Sequence, residues 1–159
     1  MDALKATARQ IFDQCCEDMR LAVKGLDAAT LAKAPAPETS PLVTLVRHTA
    51  TSTRYQLGCA ATGRGDQRQY RGEIRPTAFA GDEAGADSLI RIIDTLEEEG
   101  RRLIADVPLD RLGDRVDLGD NGDDGPTRAW MLIHALEHFR EHVGHAQLTR
   151  QVLVMRTED

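Results

Sequence analysis

Four histidines form one short row near the end of the chain, at His134, His138, His142 and His145. Each residue of an α-helix turns by about 100°, so a helix here would place the four imidazoles within roughly 80° of one another, on one face. A buried imidazole needs partners for its two ring nitrogens, and it is a common ligand of divalent transition metals. The spacing of this histidine row therefore predicts a helix face that binds a metal ion.

A third ligand has to come from another part of the chain. Two histidines four residues apart on a helix lie about 6 Å apart, which is close enough to hold one ion. His48 is the only histidine outside the row, and its apolar-periodic segment could form a second helix that carries it to the same place. Three neutral imidazoles leave at least one coordination position open, a pattern typical of catalytic zinc sites. That position can hold a water or a thiol, and the metal lowers the pKa of either.

The elements that must position these residues are helices, since four helical patterns and no convincing strand pattern are found. The expected helices cover about 2–24, 41–63, 87–105 and 127–154. Ser40 is the expected N-cap of the second helix, and Pro41 is its expected first residue. The last helix is expected to pack through four apolar side chains, Trp130, Ile133, Phe139 and Leu148.

Two polar segments, at 63–81 and 97–102, bear on how the helices are connected and exposed. Residues 63–81 are rich in Gly and Arg and are expected to form a loop, whose length favours a crossover over a simple up-and-down bundle. The charged run at 97–102 is expected to be the solvated face of the third helix. The fold class is therefore predicted to be an all-α, four-helix bundle with a long crossover connection.

The composition is that of a soluble protein, with 41% apolar and 29% charged residues, and all 159 residues are expected to form one domain, 1–159. The 20 Lys and Arg residues face 26 Asp and Glu, an acidic balance that argues against a nucleic-acid partner. No apolar run is long enough to span a membrane, and no membrane partner is expected. The three cysteines, an odd number, indicate no disulfide framework, so a reducing cytoplasm is the expected location.

At these residues the chain resembles the DinB/YfiT-like superfamily of bacterial metal-binding four-helix bundles. One part of the likeness is a histidine in the middle of the second helix that follows a segment rich in Leu and Val, here Leu45 to His48. The other part is a pattern in the last helix, in which two histidines are separated by three residues and a glycine follows two positions after the second histidine. Here this pattern runs from His138 to Gly144. The prolines and Leu31 that precede Pro41 extend the likeness over nearly the full length.

The resemblance implies an up-down-down-up bundle, often a homodimer, with a divalent metal ion held by His48, His138 and His142. Zinc or nickel is the ion that it implies. It also implies transfer of a low-molecular-weight thiol to an electrophile, so that these two small molecules are the expected partners. Many members of the superfamily have Gln at the position of His145, which makes His145 a candidate for altered coordination or for catalytic acid–base chemistry.

Several alternatives stay open from the residues alone. The histidines could form a hydrogen-bonded polar seam without metal, and His134 is expected to support the site or to pack rather than to ligate. A bound hydroxide would make the protein a metal-dependent hydrolase, with His145 or His134 moving protons. A third alternative is a non-catalytic, stress-related metal-binding bundle. Thr51 and Ser52 are expected to donate hydrogen bonds to the carbonyls four residues before them.

Overall fold

The computed structural model describes residues 3–79, 84–119 and 125–155. Four long helices dominate it, namely α1 (Ala3–Val23), α3 (Leu42–Thr62), α6 (Ala86–Asp106) and α7 (Arg128–Met155). Shorter helical pieces are α2 (Ala28–Ala32), α4 (Gln67–Gln69), a π-helical turn (Tyr70–Ile74), α5 (Arg75–Phe79) and a 3-10 turn (Leu109–Arg111). The described part of the chain contains only isolated β-bridges and no strand, so the predicted all-α class is confirmed.

The contacts between the long helices show their order and direction. Helix α1 packs against α6 and α7, and α3 packs against the same two helices. Along α1 and α6 the contacts run in opposite directions, from Asp13 with Arg101 to Arg20 with Asp94.

Along α1 and α7 they run in the same direction, from Asp18 with Arg140 to the Lys24 carbonyl with Arg150. Helices α3 and α7 run in opposite directions, from Thr62 with Arg128 to His48 with His142. The chain therefore follows the up-down-down-up order that the resemblance implied.

The core lies along the axis where the four long helices meet. Phe12 and Phe139 pack edge to face with their ring centroids 5.8 Å apart, and each ring is almost fully buried. Gly100 of α6 makes room for the first of these rings, because a Cβ atom at this position would lie 2.7 Å from Cε1 of Phe12. The other large buried side chains are Met19, Leu31, Leu42, Leu57, Leu89, Ile93, Leu96, Ile104, Leu132 and Leu153.

The long helices begin and end close to the predicted positions, but two details of the prediction are wrong. Pro41 and not Ser40 is the N-cap of α3, and it makes no side-chain capping bond. Part of the polar segment expected to be a loop is helical, since residues 67–79 form α4, the π-helical turn and α5. The end of that segment, 80–81, lies outside the described residues. Such short helices have little intrinsic stability, and α5 is held in place by its contacts with α3.

The packing residues predicted for α7 are largely wrong. Trp130, Ile133 and Leu148 are 51%, 60% and 60% exposed, and only Phe139 is buried. Apolar residues occur on every side of this helix, so their periodicity does not show which side faces the core. The buried apolar side chains of α7 are Met131, Leu132, Ala135, Phe139, Val143, Ala146 and Leu153.

The charged run at 97–102 is only partly the solvated face that was expected. The Glu97 carboxylate is 17% exposed and accepts hydrogen bonds from Arg20 of α1 and from Arg101, so it joins two helices. Within residues 3–79, 84–119 and 125–155, no helix has both the length and the apolar character that crossing a membrane would require.

Candidate metal centre

The site depends first on the alignment of α7 with α3, which Arg128 holds at one end. This buried guanidinium donates hydrogen bonds to three carbonyls in the last turn of α3, those of Ala60 (3.0 Å), Ala61 (2.8 Å) and Thr62 (3.0 Å). A cation is favourable there, because the C-terminal end of a helix carries partial negative charge. Gly63, at φ 77°, then ends α3 in the left-handed conformation that glycine adopts without strain. With these ends joined, the middle of α3 faces the histidine row.

Three imidazoles meet where the two helices face each other, and they are the three that the sequence pointed to. His48, His138 and His142 each offer one ring nitrogen, and these nitrogens all lie within 4.8 Å of one another. The ring of His48 lies 5.4 Å from that of His138 and 5.0 Å from that of His142, measured between centroids. His48 is 8% exposed and the other two are partly buried. These three residues are the histidine triad, and the described cluster could hold a metal ion.

The hydrogen bonds of the triad determine which nitrogen of His138 is available. Its Nδ1 lies 3.3 Å from the hydroxyl oxygen of Ser52, and that hydroxyl lies 2.9 Å from the carbonyl oxygen of His48. The hydroxyl can donate to the carbonyl while it accepts a bond from Nδ1–H. With the proton on Nδ1, the lone pair of His138 is on Nε2, which lies 3.2 Å from Nε2 of His142. A supporting bond of this kind fixes the orientation and tautomer of a metal-ligating imidazole.

Burial keeps all three rings uncharged at neutral pH. It lowers the pKa of His48, His138 and His142 from 6.5 to about 4, and the neighbouring imidazoles add to this effect. Arg75, on the short helix α5, lowers the pKa of His48 further. An uncharged imidazole has the free lone pair that a metal ion needs, so this environment prepares the rings for ligation.

The unpaired nitrogens of the triad test whether a metal fits. Nδ1 of His48 and Nδ1 of His142 are buried without a hydrogen-bond partner among the described residues, which is costly for a polar atom. A polar seam without metal would instead supply a partner for nearly every ring nitrogen. Three imidazoles also form the donor set that zinc and nickel accept. The residues present therefore fit a divalent ion with at least one coordination position left for another ligand.

The other two histidines of the row lie beside the triad. His134 stacks on Trp130 with centroids 4.3 Å apart, and its ring lies 5.8 Å from that of His138. His145 is exposed, and its ring lies 5.5 Å from that of His142. Neither belongs to the group of converging nitrogens.

Sequence reasoning missed the residues that α5 contributes. The Phe79 ring packs on the ring of His48 at 4.8 Å between centroids, and the Arg75 guanidinium lies over the same phenylalanine at 5.5 Å. Both residues come from the segment that was expected to be a loop. The pair Ala78 and Phe79 was the available signal, since these apolar residues stand out in a polar stretch. The expectation for Thr51 and Ser52 is confirmed, because each hydroxyl bonds to the carbonyl four residues before it.

Comparisons with known proteins identify a family and a fold for the chain. The family model described as mycothiol S-transferase matches residues 7–154, which confirms the resemblance seen in the sequence. The fold matches the crystal structure of a conserved protein from Enterococcus faecalis with a TM-score of 0.77, over 97% of this chain and 99% of that chain. Sequence identity to it is 17%, so this likeness establishes the fold alone. No curated protein matches the chain.

Proposed function

Because the chain belongs to the mycothiol S-transferase family, we propose that it is a metal-dependent enzyme that joins a low-molecular-weight thiol to an electrophile. The observation that carries this proposal is the convergence of three ring nitrogens within 4.8 Å on an otherwise helical scaffold. Zinc or nickel is the proposed ion, because both accept an all-imidazole donor set. Mycothiol is the proposed thiol, since the matching family is described by it.

Each group of the site has a separate task in this reaction. A bound divalent ion supplies one property, a lowered pKa for a thiol at its open position. His48, His138 and His142 would hold the ion, and Ser52 would keep Nε2 of His138 directed at it. In the transfer itself the sulfur loses its proton, its electron pair forms the new bond to carbon, and the leaving group departs with the pair from the broken bond.

His145 is the proposed catalytic acid–base group. Its ring is close to the ring of His142 but is not a member of the triad, and it is exposed to solvent. A side chain in this position can accept the proton that the thiol loses and pass it to water. We expect His145→Gln to retain the metal and to lower kcat by about tenfold or more.

The test combines metal analysis with thiol consumption. The purified protein should contain about one divalent ion per chain, and it should consume mycothiol in the presence of an alkylating electrophile. A chelator should abolish this consumption. His142→Ala should lose most of the metal and the activity, while Glu98→Gln, an exposed change on α6, should retain both. Full retention of the ion by His142→Ala would refute the ligand assignment.

The same assay separates the proposal from the two alternatives. A hydrolase would turn over an ester or amide without any thiol, and mycothiol would leave the spectrum of the cobalt-substituted protein unchanged. A purely structural ion would have a closed coordination sphere, so chelation would lower the melting temperature strongly and no thiol would be consumed. Thiol transfer requires that mycothiol perturbs the cobalt spectrum.

Three further predictions belong to the proposal. We expect the chain to form one domain over residues 1–159 and to act in the cytoplasm, where thiols are kept reduced. We expect a homodimer, which is supported by the apolar side chains that α7 leaves in solvent, among them Ile133 at 60% and Met155 at 68% exposure. Sedimentation at two protein concentrations measures this oligomeric state.

A further inference from the structure

We propose that the thiol binds in the cavity beside His142, and that Glu38 in its wall makes this site select an uncharged, polyhydroxylated thiol over thiols that carry carboxylates. This inference rests on the proposed function and adds the residue that determines which thiol is used. The cavity has a volume of about 460 Å³, which is in the range of small-molecule sites. We call it the linker cavity, because residues 35–40, between α2 and α3, form one of its walls.

The linker cavity adjoins the two groups that the thiol has to reach. His142, a member of the triad, and His145, the proposed acid–base residue, both line it. Their rings lie 5.5 Å apart between centroids. A thiol in this one cavity therefore has a triad imidazole and the acid–base group beside it, on the same side of the protein.

The fold leaves polar groups on the wall of this cavity without a partner. Thr149 is 8% exposed, yet its hydroxyl forms no hydrogen bond with any residue that the structure describes. It follows His142 by seven residues, so the two side chains lie on one face of α7. The Glu38 carboxylate and the Ser40 hydroxyl, which line the same cavity, also lack a partner within 3–79, 84–119 and 125–155. Because a buried hydroxyl without a partner is costly, these groups are suited to bind the hydroxyls of a ligand.

The turn that carries Glu38 indicates a role for its carboxylate. Thr39 closes this turn by donating to the Ala36 carbonyl from its backbone N–H, at 3.3 Å, and from its hydroxyl, at 2.6 Å. Pro37 and Glu38 occupy the two central positions, and Glu38 has a φ of 62°. Glycine is the usual residue at such a positive φ, because a Cβ atom makes the conformation strained. Strained residues of this kind cluster at ligand sites, so the side chain of Glu38 is better explained by binding than by folding.

The charge of the wall favours one class of thiol. Among the described residues that line the linker cavity, Glu38 is the only Asp, Glu, Lys or Arg, so no basic side chain of that set offsets its carboxylate. A carboxylate repels the carboxylates of glutathione and accepts hydrogen bonds from the hydroxyls of a sugar. Mycothiol, an acetylcysteine derivative of an amino sugar joined to inositol, has many hydroxyls and no carboxylate. Repulsion of the wrong ligand is a common source of specificity.

Calorimetric titration of the zinc-loaded protein with mycothiol and with glutathione tests the assignment without turnover. We expect mycothiol to bind more tightly than glutathione. Glu38→Gln should raise the Kd for mycothiol by about three- to tenfold, because a charge-assisted hydrogen bond becomes a neutral one. It should lower the Kd for glutathione by about three- to tenfold, because one repulsive charge is removed. Thr149→Val should raise the Kd for mycothiol by about two- to tenfold, and Glu98→Gln, an exposed change on α6, should change neither Kd.

The direction of the two Kd changes separates selection from a structural defect. A distorted cavity would bind both thiols more weakly, whereas loss of selection moves the two Kd values in opposite directions. Glu38→Gly relieves the backbone, so it should keep the Tm of the unchanged protein and still lose the preference for mycothiol. If Glu38→Gln leaves the ratio of the two Kd values unchanged, the assignment of Glu38 is wrong although thiol transfer stands. If mycothiol neither binds nor is consumed, the proposed function itself fails.

Discussion

Replacing Arg128 should reveal how strongly the N-terminal end of α7 is fastened to α3. Arg128 is 5% exposed and donates to three carbonyls of the last α3 turn, at 2.8–3.0 Å. Hydrogen bonds from a charged donor contribute about 1.5–3 kcal/mol each, and the favourable position at the helix end adds about 0.3–1 kcal/mol. Its Nε is buried without a partner, which offsets part of this gain. In Arg128→Met, water should solvate some of the carbonyls, so we expect a net loss of about 3–5 kcal/mol in the free energy of unfolding.

Urea or thermal unfolding of the metal-free protein measures this loss. For a chain of this size it corresponds to a fall in Tm of roughly 6–20 °C. Arg128→Lys should lose part of that stability, because an ammonium keeps the charge but cannot reproduce the planar fork of donors. Arg102→Met, an exposed change on α6, is the matched control and should change stability by less than about 0.5 kcal/mol. A value for Arg128→Met equal to that of this control would refute the reasoning.

The remaining predictions concern packing, the support of the triad and pH. Gly100→Ala should lower the free energy of unfolding by about 1–2 kcal/mol, because the added Cβ atom would meet Phe12. Gly58→Ala should raise it by about 0.5–1 kcal/mol, because an added Cβ atom there has no neighbour within 4 Å. Chemical unfolding measures both changes. Ser52→Ala should weaken metal affinity by about 10–100-fold in a chelator competition, and Thr51→Val, whose hydroxyl bonds only within its own helix, should leave that affinity unchanged. For the metal-free protein, the depressed pKa of the three triad imidazoles, about 4 against 6.5, means that the unfolded chain binds protons first as pH falls. Stability should therefore be full above about pH 6.5 and fall towards pH 4 in thermal scans, and a flat profile over this window would contradict the assigned burial.

The α7 half of the site could be predicted from the sequence, because the geometry of a single helix determines how its histidines are arranged. The four-residue spacing of His138 and His142 places both rings on one face of any helix, whatever surrounds it. The position of His48 depended on the alignment of α3 with α7, which no local pattern shows. That alignment rests on long-range contacts such as those of Arg128, and the family resemblance supplied the pairing in their place.

The parts of the fold that could not be predicted have physical causes of their own. Trp130 and Ile133 are apolar enough to suggest a core, yet the inward side of α7 near them is taken up by Met131, Leu132 and the histidine row. Residues 67–79 have a polar composition typical of loops, and α5 is helical there because it packs on α3 and on the ring of His48. In both places tertiary contacts outweigh local preference.

In the described part of the chain, every converging nitrogen of the triad comes from α3 or α7. The described residues of the other two long helices complete the bundle and supply no ligand nitrogen, so mutations in them can change the scaffold without changing the donor set. The link between α3 and α6 differs in this respect, because its Phe79 packs on the ring of His48 and its Arg75 lowers the pKa of that ring. Variation in this one connecting segment can therefore alter the surroundings of the ligands while the three imidazoles themselves stay the same.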